Sequence, residues 1–317
     1  MHRASPLESI CSHYPPPLRT TTTYARYLEF AKQIAQATNV NIDESWEPVQ
    51  WAIDVVQHIL EDQNSGKRTL GRGLPHAFFV SAYSINVTVQ QRASCGAEKL
   101  YEKYVAAMTD YLRDGALPSI RAKTGASKLQ EFAMRWENHK LLSEFMRRFF
   151  DIVDRGFVAG SSHPSLSAVA LTKFKDILFD GKVKGEMLDA MLGIVAKHRA
   201  GERDAESEQL LKACGEIFYT MGITQAADFD KIKCLVMGTK FMVPERLPLL
   251  PNATSAAREW VEVGDNLGVY EADYEKPFLV QSQEFFRVKA NEWMATTSLP
   301  EYMVNVKNLM LEEVRQV

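Results

Sequence analysis

The sequence predicts an all-α protein, and three observations carry that expectation. Apolar residues recur at spacings of three and four along most of the chain, the period of a helix with one buried stripe. No segment alternates apolar and polar residues as a half-buried strand would. Pro75 and Pro277 stand where helical patterns begin, where a missing N–H costs nothing.

Taken in order, residues 1–41 are expected to be a partly disordered leader. Pro15, Pro16 and Pro17 favour extended chain, and a short helix follows with Tyr24, Tyr27, Leu28, Ala31, Ile34 and Ala35 on one face. Trp46, Val49, Ile53, Val56 and Leu60 form the next stripe. Asn41 or Asp43 can cap that helix, and Pro48 fits only if it lies in the first turn. Residues 62–73 read as a glycine-rich loop. A helix then starts near Leu74-Pro75 and carries Phe78, Phe79, Ala82, Tyr83 and Ile85. Another holds Tyr101, Tyr104, Val105, Met108 and Leu112. Residues 127–158 predict one long helix or two joined ones, and Gly160 to Pro164 a break. Amphipathic segments follow at about 165–179, 184–198 and 206–221. Residues 222–268 lose the periodicity, gain Pro244, Pro248 and Pro251, and read as a long inserted loop. Two helices close the chain, one from Pro277 and one from Ser298, where Ser298 and Glu301 have capping-box spacing.

Composition narrows the function. The 317 residues are 46% hydrophobic and 24% charged, enough apolar material for a core. A net charge of -3 gives no basic field for nucleic acid. No apolar run reaches the roughly eighteen residues of a membrane span, and no secretory signal pattern opens the chain. Cytoplasm and nucleus are the expected location. Cys11, Cys95, Cys214 and Cys234 form no CxxC pair, which predicts reduced, mostly buried thiols and no zinc site. The seven histidines include no pair at i+3 or i+4, and no phosphate loop or nucleophile elbow is present. No catalytic residue, metal site or cofactor is expected.

The helix from Leu74 to Val89 differs from the rest. Phe78, Ala82 and Ile85 fall on one side, and Pro75, Phe79 and Tyr83 on another. A second apolar face means either deeper burial or a partner groove.

Several segments resemble cullins. Val195 to Glu202 (VAKHRAGE) is similar to the family's I-x-x-x-R-x-G-E segment. Tyr270 to Leu279, followed by Glu284-Phe285-Phe286, resembles its Y-x-x-x-F-E-x-x-F-L and E-F-[YF] run. Leu299 to Met303 with Glu312-Glu313 resembles V-x-E-Y-x and L-x-E-E. Trp46 with Ile53, Glu98 to Tyr101, Trp136 to His139 and Asp154 to Val158 fall in the family's order. The resemblance covers residues 42–317 apart from most of 222–268.

It implies a rod of stacked cullin repeats, each a bundle of about five helices: residues 42–160 the first repeat and 161–317 the second. It implies a non-catalytic scaffold of a cullin-RING ubiquitin ligase, whose N-terminal arm binds a substrate adaptor, either of the BTB-fold or Skp-like kind or a β-propeller. The RING-box protein would be held only through the family's C-terminal domain, which these residues do not match. By the same resemblance, Pro75, His76, Phe79 and Tyr83 take adaptor-contact places on the second helix of the first repeat. Arg148, Ile152 and Arg155 take them on the fifth. Pro75, His76 and Ile152 depart from the family's habit, which leaves the adaptor type open. The competing expectation is an unrelated helical-repeat interaction or tethering module, using a concave face.

Overall fold

A computed structural model describes residues 21–37, 40–62, 76–222 and 270–314. Its helices are α1 Thr21–Gln36, α2 Ile42–Asp62, α3 His76–Arg92, α4 Gly96–Asp110, α5 Leu117–Arg121, α6 Gly125–Phe149, α7 Asp151–Gly156, α8 Leu166–Leu178, α9 Gly181–Arg199, α10 Ala205–Gly222, α11 Lys276–Thr296 and α12 Leu299–Val314. A π-helical stretch, Tyr111–Ala116, joins α4 to α5, and another, Glu271–Glu275, leads into α11. No strand occurs among the described residues. The 62–73 loop lies almost entirely outside them, as do Pro75, residues 1–20 and nearly all of 222–268.

Local chemistry explains most boundaries. The side-chain oxygen of Asn41 accepts the Asp43 N–H at 3.0 Å, which starts α2 at Ile42. Pro48 consequently stands beyond the first turn, inside the helix, contrary to the sequence expectation. Its ring is buried, which recovers part of the cost of the hydrogen bond it removes. The 127–158 stretch is two joined helices, broken at Phe150 (φ −106°, ψ 13°). Gly201, with φ +89°, ends α9 in the left-handed conformation that glycine adopts freely. There the Glu202 N–H reaches the Lys197 carbonyl and the Gly201 N–H that of His198, each at 3.0 Å, a Schellman closure. The Arg-x-Gly-Glu run is thus a helix-stop signal. At Ser298 the capping box is half formed: Glu301 accepts the Ser298 N–H at 3.0 Å, but the serine hydroxyl donates to that same carboxylate.

One continuous apolar core runs from Tyr27 to Met221. α1 lies along α3, and α3 packs on α2, α4, α6 and α7. α8 packs on α4 and α6, while α9 and α10 pack on α6. The core therefore crosses the break near residue 160. The Tyr104 hydroxyl donates to the Leu166 carbonyl at 2.9 Å, and Asp154 accepts the Leu166 N–H at 3.0 Å. Phe174 of α8 meets Phe132, Trp136 and His139 of α6 at 5.6, 4.8 and 4.9 Å between ring centroids. Trp136 is core. Trp46 is only half-buried: it faces Phe150 on one side, and the Lys103 ammonium stands over its ring.

Candidate partner-binding surface

The surface is built where α3 meets the α6–α7 corner. α3 commits Phe78, Ala82, Ile85, Asn86 and Val89 to the core. That leaves a helix whose remaining faces still carry apolar groups.

One hydrogen bond and one close approach set α3 against the corner. The Asn86 Nδ2 group donates to the Phe149 carbonyl at 2.8 Å, supplying a partner to a carbonyl freed where α6 breaks. Gly156 allows Gln90 to approach, since a Cβ there would fall 2.5 Å from its Nε2 atom. On its other side α3 is held by α1. The Tyr27 hydroxyl donates to the Phe78 carbonyl at 2.9 Å, with the Tyr27 ring 4.8 Å from Trp51 and 5.6 Å from Phe78. Burial keeps that hydroxyl far above its ordinary pKa. Arg92 donates to the Ala35 and Ala37 carbonyls at the far end. The short helix of the leader is therefore an integral part of the bundle.

Of the residues expected here, Phe79 is half-buried. It stacks on Phe145 at 5.5 Å and meets Phe149 at 5.9 Å, so part of the ring serves α3–α6 packing. Tyr83 is half-buried one turn on, and His76 is exposed. Pro75 lies outside the described residues. Ile152 is half-buried against the core. Arg148 stands over Phe79 and Phe145, 5.9 Å from each centroid, and bonds Glu144 at 3.0 Å. Arg155 pairs with Asp151 at 2.8 Å. Each of the two arginines is thus paired with a carboxylate, which leaves their surroundings closer to neutral.

Sequence reasoning passed over Val80, which is 44% exposed. His76, Val80, Tyr83 and Val87 follow at spacings of four, three and four, a single outward stripe that the pattern could have shown. Phe30, on the neighbouring α1, is 37% exposed. Asn86 could have been flagged as a polar residue inside an apolar face. The described residues contain no grouping of metal-ligating side chains and no helix long and apolar enough to cross a membrane.

Comparison with known proteins places this architecture. The family model described as the cullin α-solenoid domain matches residues 76–317. "Putative cullin-like protein 1" of Arabidopsis thaliana is 25% identical over 287 residues, 90% of this chain and 33% of that protein. "Cullin-1" of Oryza sativa subsp. japonica is 30% identical over 185 residues, 58% of this chain and 24% of that protein. "Cullin-2" of Arabidopsis thaliana is 26% identical over 231 residues, 73% of this chain and 25% of that protein. The chain spans a quarter to a third of the length of these relatives. With its all-helical solenoid and a family match over most of its length, the chain belongs to the cullin family.

Proposed function

We propose that this chain is the adaptor-binding arm of a cullin-type ubiquitin-ligase scaffold, acting in cytoplasm and nucleus without catalytic residues of its own. The observation that supports it is the stripe His76, Val80, Tyr83 and Val87. It leaves apolar side chains at the surface of a helix whose core face is already filled by Phe78, Ala82 and Ile85. α6 and α7 back that helix, so the anchors are presented at low entropic cost. In this reading residues 42–160 and 161–317 are successive repeats of one rod, and Arg148 and Arg155 contribute hydrogen bonding at the rim rather than a free cationic field.

The experiment is calorimetric titration of the chain with purified Skp-like, BTB-fold and β-propeller adaptors. One of them binds, and the Val80→Ala, Tyr83→Ala double variant loses it by about 30- to 1000-fold, the roughly 2–4 kcal/mol typical of interface anchors. The variant keeps its helical circular dichroism and melting temperature. Phe79→Ala weakens binding and also lowers the melting temperature, because its ring packs on Phe145 and Phe149. Unaltered affinity in the double variant overturns the assignment of this surface.

A further inference from the structure

The α11–α12 hairpin is held to the rest of the molecule in an unusual way. Among its described residues the one buried residue is Ser282. Large apolar groups face solvent instead, among them Val280, Leu299, Met303 and Met310, with Leu299 75% exposed. Burial of an apolar face, which docks most helices, therefore contributes little here.

What the hairpin has instead is one charged joint. The Arg199 side chain, from the last turn of α9, is 3% exposed. Its Nε donates to Glu313 Oε1 at 3.0 Å and its Nη2 to Glu313 Oε2 at 3.2 Å, a two-pronged pair with the end of α12. The same Nη2 donates to the Ser282 hydroxyl of α11 at 2.8 Å, and that hydroxyl donates onward to the Phe278 carbonyl at 2.7 Å. The guanidinium carbon stands 5.5, 4.9 and 5.6 Å from the ring centroids of Phe278, Phe285 and Phe286. One cation thus touches both helices of the hairpin. Glu313 also needs it: a carboxylate in the last turn of a helix opposes the helix dipole and gains most from a nearby cation.

The root of the hairpin is attached separately. Just before α11, the π-helical stretch Glu271–Glu275 places Tyr274 against Phe218 of α10 at 5.7 Å, and Asp273 accepts from Lys184 of α9 at 2.8 Å. A π-helical insertion is where a helix bends with least loss, because its hydrogen-bond ladder is already interrupted.

We propose that α11 and α12 form a hinged unit that pivots at Glu271–Glu275, and that the Arg199 cage is the latch holding it against α9. Arg199 then sets the direction in which the stripe Leu299, Met303, Val306 and Met310 faces. Arg199 is a positioning residue, and its role is independent of the adaptor reading.

Hydrogen exchange followed by mass spectrometry on the full chain tests this, with Arg199→Lys and Glu313→Gln. Lysine keeps the charge but loses the fork and the planar contact with the rings. Glutamine keeps the shape of Glu313 and removes its charge. Each variant is expected to speed exchange across α11 and α12 at least tenfold while α6 to α10 exchange as in the parent. The double variant is expected to do no more than the faster single one, because both changes open the same latch. Unchanged exchange in the hairpin, or an equal rise through α6 to α10, overturns the proposal. The second outcome would make Arg199 an ordinary part of the core. If Arg199→Lys fails to fold, Glu313→Gln, which alters a partly accessible residue at the end of α12, decides alone.

Discussion

His139 sits on α6 with Trp136 6.2 Å and Phe174 4.9 Å away, and its Nε2 atom is bonded to the Ala170 carbonyl at 3.0 Å. A protonated ring would be desolvated there, so burial lowers its pKa from 6.5 to about 4, against a smaller opposing effect of the carbonyl. Below about pH 6.5 the unfolded chain takes up a proton that the folded chain refuses. The stability tied to this site is therefore full above that pH and falls as the pH drops toward 4, by on the order of 3 kcal/mol. Carboxylates also contribute to acid unfolding, so the site is isolated by difference. Urea unfolding at pH 7 and pH 5 should show a smaller loss in His139→Gln than in the parent, and equal losses would refute the neutral, buried ring. The sequence did not disclose this role. Nothing in Trp136-Glu137-Asn138-His139 says that these side chains point to different helices, with Asn138 donating to the Leu60 carbonyl of α2 at 3.2 Å. Periodicity does identify Trp136 as core, because its stripe continues in Phe132 and Leu129.

Helices α2, α4, α8, α9 and α10 were legible because each has one apolar stripe and a readable end. α3 was legible as a helix but not in its bearing. Its apolar groups cover nearly the whole circumference, and only the positions of α1 and the α6–α7 corner decide which face remains outside. α1 itself was weakly signalled, since short helices draw most of their stability from the surface they cover. The orientation of α3 depends on Asn86, whose amide bridges to Phe149 while its own oxygen finds no partner. Asn86→Ala leaves the Phe149 carbonyl buried and unpaired, which should cost about 1–3 kcal/mol. Because the lost bond joins the two elements of the proposed adaptor surface, affinity for the adaptor should fall as well, although Asn86 is buried and cannot touch a partner. Chemical unfolding and titration of the same preparation check both effects, and normal affinity in a destabilised variant would show that this bond does not shape the surface.

At the scale of the whole molecule, sequence pattern and packing divide the chain differently. The Gly160 to Pro164 break is where the sequence reading expects one repeat to give way to the next, but the core does not stop there. Tyr101 and Tyr104 on α4 donate to the Pro164 and Leu166 carbonyls, and Phe174 completes the aromatic group on α6. α6 is shared: one side packs on α2 and α3, the other on α8, α9 and α10. Buried ions reinforce the sharing. Glu131 accepts from Lys123 at 2.7 Å and Arg135 at 2.9 Å, and Arg135 reaches Glu61 of α2 at 3.4 Å. Burial raises the Glu131 pKa, but these donors outweigh it and hold the carboxyl below its ordinary value. Lys128, one turn earlier on the same helix, bonds Glu186 of α9. A periodicity argument assigns each helix to one bundle and cannot see a helix that serves two. The consequence is a prediction about fragments. Residues 21–160 end before α8 and would leave Phe132, Trp136 and His139 without Phe174, so this fragment should be poorly soluble or melt well below the parent. Residues 21–222 keep the helices that α6 packs on among the described residues and should melt cooperatively near the parent temperature. Circular dichroism melts of the two fragments distinguish the cases. A 21–160 fragment as stable as 21–222 would mean that the first repeat is a self-sufficient domain and that the contacts across residue 160 add nothing to its stability.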